Sequence, residues 1–111
     1  MKVVRIYTGA DNQTHFEDLD VGTFATLSAQ VGTGPVRLGQ GPAKSMSDFH
    51  NAPRRQYVVM MSGQLEIEVG DGTKRILRTG DILLAEDTTG QGHISRAVAG
   101  KPRKSLFITL D

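Results

Sequence analysis

Between Gln64 and Val69 the chain alternates strictly, with Leu65, Ile67 and Val69 set against Gln64, Glu66 and Glu68. A period of two puts the apolar side chains on one face of an extended strand and the polar ones on the other. Gly70-Asp71-Gly72-Thr73 follows, a run that accepts the positive φ of a hairpin loop, and Lys74–Leu77 returns. This segment is therefore half of a sheet with one wet face and one buried face. A lone hairpin is not stable in water, so the remaining chain has to supply the strands that cover it.

It does so in short runs. Tyr57–Met61 is continuously apolar, as suits a strand covered on both faces, and Ser62-Gly63 turns it into the alternating segment. Thr79-Gly80-Asp81 is a turn before a second buried strand, Ile82–Ala85, which leads into the polar loop Glu86–Gly92. His93–Val98 and Ser105–Leu110 read as the last strands, joined through Gly100-Lys101-Pro102. Nearer the start, Lys2–Tyr7 reads as a strand without an evident partner, and Gly34–Gln40 as an edge strand because Pro35 is tolerated only there. Gly39–Pro42 reads as a turn and Asp11–Asp20 as irregular. Phe24, Leu27 and Val31 have helical spacing, but Gly22 and Gly32 limit any helix there to about two turns. Short strands at this spacing are the mark of an all-β sandwich or barrel, and rolling them up limits the exposed edges.

The chain has 111 residues, which predicts a single domain, 1–111, with a core of its own. A formal net charge of +1 lacks the basic bias of a nucleic-acid binder. The absence of cysteine excludes disulfides and thiolate chemistry and fits a reducing compartment. No run has the apolar length of a signal peptide or a bilayer span, so the expectation is a cytoplasmic protein with no membrane partner. No Gly-x-Ser-x-Gly elbow, phosphate loop, dinucleotide fingerprint or His-Glu-x-x-His is present.

Two stretches, about 49–63 and about 80–97, occur in the order of the two cupin motifs, and the second half of the chain resembles a small microbial cupin. The resemblance is carried by the Ser62-Gly63-x-Leu65-x-Ile67 hairpin, by Gly80-Asp81-x-Leu83-Leu84, and by a histidine after a glycine-bearing loop. It implies a double-stranded β-helix, the jelly-roll barrel. Laying Gly63 on the closing glycine of the first motif puts His50 at the first histidine, Ala52 at the second and Gln56 at the glutamate. In the second motif His93 takes the histidine position, two residues late, Glu86 stands at the usual proline and Ala97 at the usual asparagine. The first motif is thus degenerate.

The resemblance implies a metal position at His50, Gln56 and His93, and two alternatives stay open. The first is one divalent transition metal (Fe, Ni, Cu or Zn) held by two imidazoles and a carboxamide oxygen, with Glu86 or Asp87 adding a carboxylate. In the second no metal binds, and His50 and His93 make ordinary polar contacts or one of them serves as a general base. Arg54 and Arg55 stand before the apolar strand. By alternation one points inward, where its planar fork suits an anionic ligand, unless it bridges to Glu86 or Asp87. Tyr57 is either core or a phenol on the cavity wall, with core the commoner fate. His15 reads as a surface residue, and Met60 and Met61 read as packing.

The functional expectation is a small cupin-fold protein that binds a small polar or anionic molecule in its barrel, as a metal-dependent dioxygenase, isomerase or lyase, or as a metal-free binding or sensing module. His50 and His93 are its candidate catalytic residues, and Arg54, Arg55, Tyr57, Glu86 and Asp87 its candidate ligand contacts. A homodimer is expected, because Tyr57–Met61 is apolar on both faces and Lys2–Tyr7 lacks a partner.

Overall fold

The short runs of the sequence are realised as nine strands among the described residues. The computed structural model describes residues 2–20, 31–41 and 48–110. They form β1 (Val3–Thr8), β2 (Thr14–Leu19), β3 (Val31–Gly41), β4 (Gln56–Ser62), β5 (Leu65–Glu68), β6 (Lys74–Leu77), β7 (Ile82–Glu86), β8 (Ile94–Ala97) and β9 (Arg103–Leu110). One sheet has six strands in the order β2-β1-β7-β4-β9-β3, and the other has three in the order β6-β5-β8. No helix occurs among the described residues, so none there is long and apolar enough to cross a membrane.

The expected hairpin is β5–β6, in which Leu65 lies opposite Leu77 and Glu68 opposite Lys74. Its apolar face closes onto the large sheet. Leu65, Ile67 and Leu77 pack with Val4, Ile6, Val58, Met60 and Leu83 in one buried cluster between the sheets. Leu77 is fully buried, and truncating it to alanine would cost about 2–5 kcal/mol. The opposite face of the large sheet carries a second cluster of Val3, Tyr57, Ile82, Leu84 and Leu110. The central strands therefore read as continuous apolar runs because both of their faces are covered.

Four expectations need correction. Met61 does not pack inward but stands half-exposed near the end of β4. Thr14–Leu19 is not irregular but a full strand, pairing antiparallel with β1 from Val3↔Leu19 to Thr8↔Thr14. Its polar side chains belong to an edge strand, where one side is wet. β1 does not lack a partner: it also pairs with β7, in parallel, from Val3↔Ile82 to Tyr7↔Glu86. Gly39–Gly41 is not a turn but the end of β3, which does lie at the sheet edge. Phe24 and Leu27 lie outside the described residues, and Val31 begins a strand. Pro42, the last residue of the expected turn, also lies outside them.

Gly80-Asp81 is a clasp. The Asp81 carboxylate accepts the backbone N–H of Lys2 at 2.9 Å and of Arg78 at 2.8 Å. Burial raises its pKa, but these two donors and the Lys2 charge outweigh it, and the carboxyl titrates below its ordinary range. The motif residue thereby ties the start of β1 to the start of β7.

Candidate functional site

His50 and His93 stand at the ends of the two motif segments and are drawn together by backbone. They form an isolated antiparallel bridge, with His50 N–H donating to His93 O at 2.9 Å and His93 N–H to His50 O at 2.8 Å. Gly92 makes this approach possible. Its φ of +84° favours glycine, and a Cβ there would collide with the His50 carbonyl. Asn51 reinforces the junction through its Nδ2, which donates to the carbonyls of Thr89 at 2.8 Å and Gly90 at 3.0 Å. The imidazole centroids end 4.5 Å apart with the rings tilted by 56°.

Behind His93 lies Asp87, fully buried. Its Oδ2 is 2.5 Å from His93 Nδ1 and accepts the Thr14 hydroxyl at 3.0 Å. Its Oδ1 has no hydrogen-bonding partner among the described residues. With Nδ1 committed to the carboxylate, Nε2 is the nitrogen left for the cavity. His50 is held more loosely, its Nδ1 3.3 Å from the Asp48 carbonyl. Burial, and then the neighbouring His93, push its pKa down, so it stays neutral to lower pH than a free imidazole.

The two rings border a cavity of about 260 Å³ between the sheets. Its walls are apolar over much of their area, through Val58, Leu65, Ile67, Leu83 and Phe107. The polar groups are His50, Asn51, Gln56, His93, Ser95, Ser105 and Arg103. A hollow that is mostly apolar with a few convergent polar groups is the usual form of a small-molecule site, here at the small end of the range.

The structure separates the candidates drawn from the sequence. His50, Gln56 and His93 line one cavity, and Ala52 lines it too. Asp87 stands behind the wall, holding His93. Arg54 is exposed at the surface and does not line the cavity. Arg55, Tyr57 and Glu86 also do not line it. They alternate with Gln56 and Ala85 on the pleat and so lie on the other side of the large sheet. There Glu86 receives Arg55 at 2.6 Å and Arg5 at 2.5 Å. The inward arginine expected from parity is therefore replaced by a salt bridge tying Arg55 to Glu86, because strand pairing begins at Gln56 and sets Arg55 outward. Tyr57 is a buried member of the outer cluster, and burial raises its pKa.

Sequence reasoning missed five polar groups, two of which, Asn51 and Ser95, line the cavity from the stretches that carry the histidines. Thr14 sits in a strand taken for irregular chain. Ser105 and Arg103 sit with Phe107 on alternate positions of β9, all three facing the cavity. Reading that alternation two residues upstream of Ser105 would have found Arg103. Burial pushes its pKa down from the usual guanidinium value.

The donors do not make a well-furnished metal site. Among the described residues no three His, Cys, Asp or Glu side chains come together as a ligand group. Ala52 has no donor atom, and Gln56 offers only a neutral oxygen. Catalytic divalent metals usually take three protein ligands, and two imidazoles with a carboxamide hold the ion weakly.

No family model matches the chain, and no curated protein matches it either. Among solved structures, the chain is similar to protein NMB1881 from Neisseria meningitidis. The match has a TM-score of 0.55 and 13% identity over 84% of this chain and 100% of that one. At that identity the likeness is one of fold.

Proposed function

We propose that this chain is a small cupin-type jelly-roll protein that binds a small polar or anionic molecule in the cavity between its sheets, with His93 as the group the ligand meets. The observation that carries the reading is the buried Asp87–His93 pair, whose histidine lines the cavity. A buried carboxylate is costly unless it serves a partner. Here it fixes one imidazole tautomer and orients Nε2 inward, the arrangement in which histidine accepts a hydrogen bond or a proton from a bound molecule. His50 and Gln56 border the same end and add neutral polar contacts.

A fragment screen read by methyl and imidazole NMR shifts tests this. Expected are hits that move Ile67 and Leu83 methyls and the His93 ring, persist in a chelator and vanish in folded His93→Ala. Hits that map instead to the surface around Gly63 and Lys101 would sink the proposal.

The facing imidazoles favour a second reading, a metal-dependent enzyme with Fe, Ni, Cu or Zn on His50 and His93. If every hit required added metal, and His50→Ala abolished metal uptake, this reading would replace the first.

A homodimer remains part of the proposal on new grounds. Both earlier reasons are met within the chain, since β1 has two neighbours and both faces of β4 are covered. What supports association is the exposure of Leu38 (64%) and Met61 (52%). Light scattering at micromolar concentration would show a dimeric mass that Leu38→Glu shifts to monomer.

A further inference from the structure

We infer that the cavity selects a carboxylate, with Arg103 binding the anionic end and the apolar wall beside it receiving the body of the molecule. The inference rests on the cavity-binding reading above and names the ligand class.

Three observations carry it. First, Arg103, Ser105 and Phe107 line the cavity from alternate residues of β9, so Arg103 belongs to the wall by the pleat of the strand. Second, the described lining residues include this arginine, two histidines, two side-chain amides and two serines, but no acidic residue. Asp87, the nearby acid, is turned away to His93 and Thr14. The wall therefore offers donors and positive charge to whatever enters. Third, Arg103 and the histidines stand at opposite ends. Gln56, beside the histidines, pairs with Thr109 on β9, six residues beyond Arg103. That is roughly 20 Å of extended backbone, part of it spanned by the arginine side chain.

Between these ends the wall is apolar, with Leu65, Ile67, Leu83 and Phe107. The fitting ligand therefore has a carboxylate at one end and a short flat or apolar body. The volume of about 260 Å³ admits something well below drug size. A guanidinium carries five N–H donors, so a contact within the chain does not exhaust it, and its planar fork matches a carboxylate edge to edge. Gly63 helps to place it. A Cβ on Gly63 would lie 2.9 Å from Arg103 Cα and 3.0 Å from its Cβ, so the turn after β4 packs directly on the arginine's backbone.

The test uses benzoate and its neutral counterpart of the same shape, benzamide, titrated into the full chain with Leu, Ile and Val methyl shifts as the readout. The expected result is that benzoate binds about tenfold or more tightly than benzamide, as a charge-assisted pair should. Arg103→Gln should bring the two within about twofold by weakening benzoate alone, and Arg103→Lys, a point charge without the fork, should fall between. Equal affinities in the wild type, or a benzoate preference that survives in folded Arg103→Gln, would overturn the inference. If Arg103→Gln does not fold, the wild-type comparison and Arg103→Lys still decide it. Cavity methyls that respond to benzamide as strongly as to benzoate defeat the carboxylate assignment and leave the cavity reading intact. Methyls silent to both probes at millimolar concentration defeat both.

Discussion

The Nδ1 atom of His93 lies 2.5 Å from Oδ2 of an Asp87 that is fully buried. This pair joins the loop after β7 to the start of β8, and its second oxygen-bound partner, Thr14, comes from β2. Three separate stretches of chain thus meet on one carboxylate. Replacing Asp87 by asparagine keeps the shape but sets an amide against groups that donate to it. We expect Asp87→Asn to lose about 1–3 kcal/mol in denaturant unfolding. The ¹⁵N shifts of His93 should also report a changed tautomer. An unaltered ring spectrum would mean that Asp87 does not orient it.

Gly92 is the second point of leverage. Alanine there meets both a positive φ and the His50 carbonyl. Gly92→Ala should lower stability by about 2 kcal/mol or more and separate the two histidines. Loss of the bridge amide protons' exchange protection at His50 and His93 is the direct measurement. Gly72→Ala serves as control, since its added Cβ meets nothing within 4 Å and only its φ of +88° is strained.

The depressed pKa of His50 has a definite pH signature. Its folded pKa lies below the ordinary 6.5, so the unfolded chain takes up the proton first. Stability attributable to this residue is therefore full above that value and falls as the pH drops towards the folded pKa. Melting curves from pH 7.5 to 5 should show a decline that is shallower in His50→Gln. An identical decline in the variant would assign the effect elsewhere.

On the outer face, burial raises the pKa of Glu86, but hydrogen bonds from Arg5 and Arg55 outweigh it and lower it overall. The sign is the reverse of a strained acid. The contribution is present above the ordinary value of 4.5 and is lost as the pH falls through the folded pKa. Both arginines are about one-third exposed, so solvent screening keeps the expected cost of Glu86→Gln near 1 kcal/mol at neutral pH. Ligand affinity should not change, because Glu86 is not in the cavity wall. A large loss of binding would contradict that placement.

What the sequence disclosed depended on whether the signal was local. The alternation of Leu65, Ile67 and Val69 carried the hairpin and the choice of its buried face, since a slip by one residue would bury Glu66 and Glu68. The neighbouring of His50 and His93 followed from motif resemblance, not from any pattern in the residues themselves. Strand β2 was hidden because Glu17 and Asp18 point to solvent, and an edge strand needs little apolar sequence. The orientation of Arg54 and Arg55 turned on where pairing begins after Pro53, which no period reveals. Arg103 was passed over because Pro102 marked a turn and the strand was begun too late. The parallel pairing of β1 with β7 has no local signal at all.

That parallel pairing has a consequence for how the chain reaches this structure. Val3 pairs with Ile82, so the first strand leaves the ribosome long before its inner neighbour exists. At about 5–20 residues per second the interval is roughly 4–16 s. During it β1 can be held only by the β2 hairpin, with Val3, Val4 and Ile6 still uncovered. Completing the large sheet then requires β7 to enter between β1 and β4 and β9 to enter between β4 and β3, long-range closures of the kind that slow β-rich proteins. The cavity is lined by Leu83 and Ala85 of β7 and by Arg103, Ser105 and Phe107 of β9, so it is assembled only when these late strands are in place.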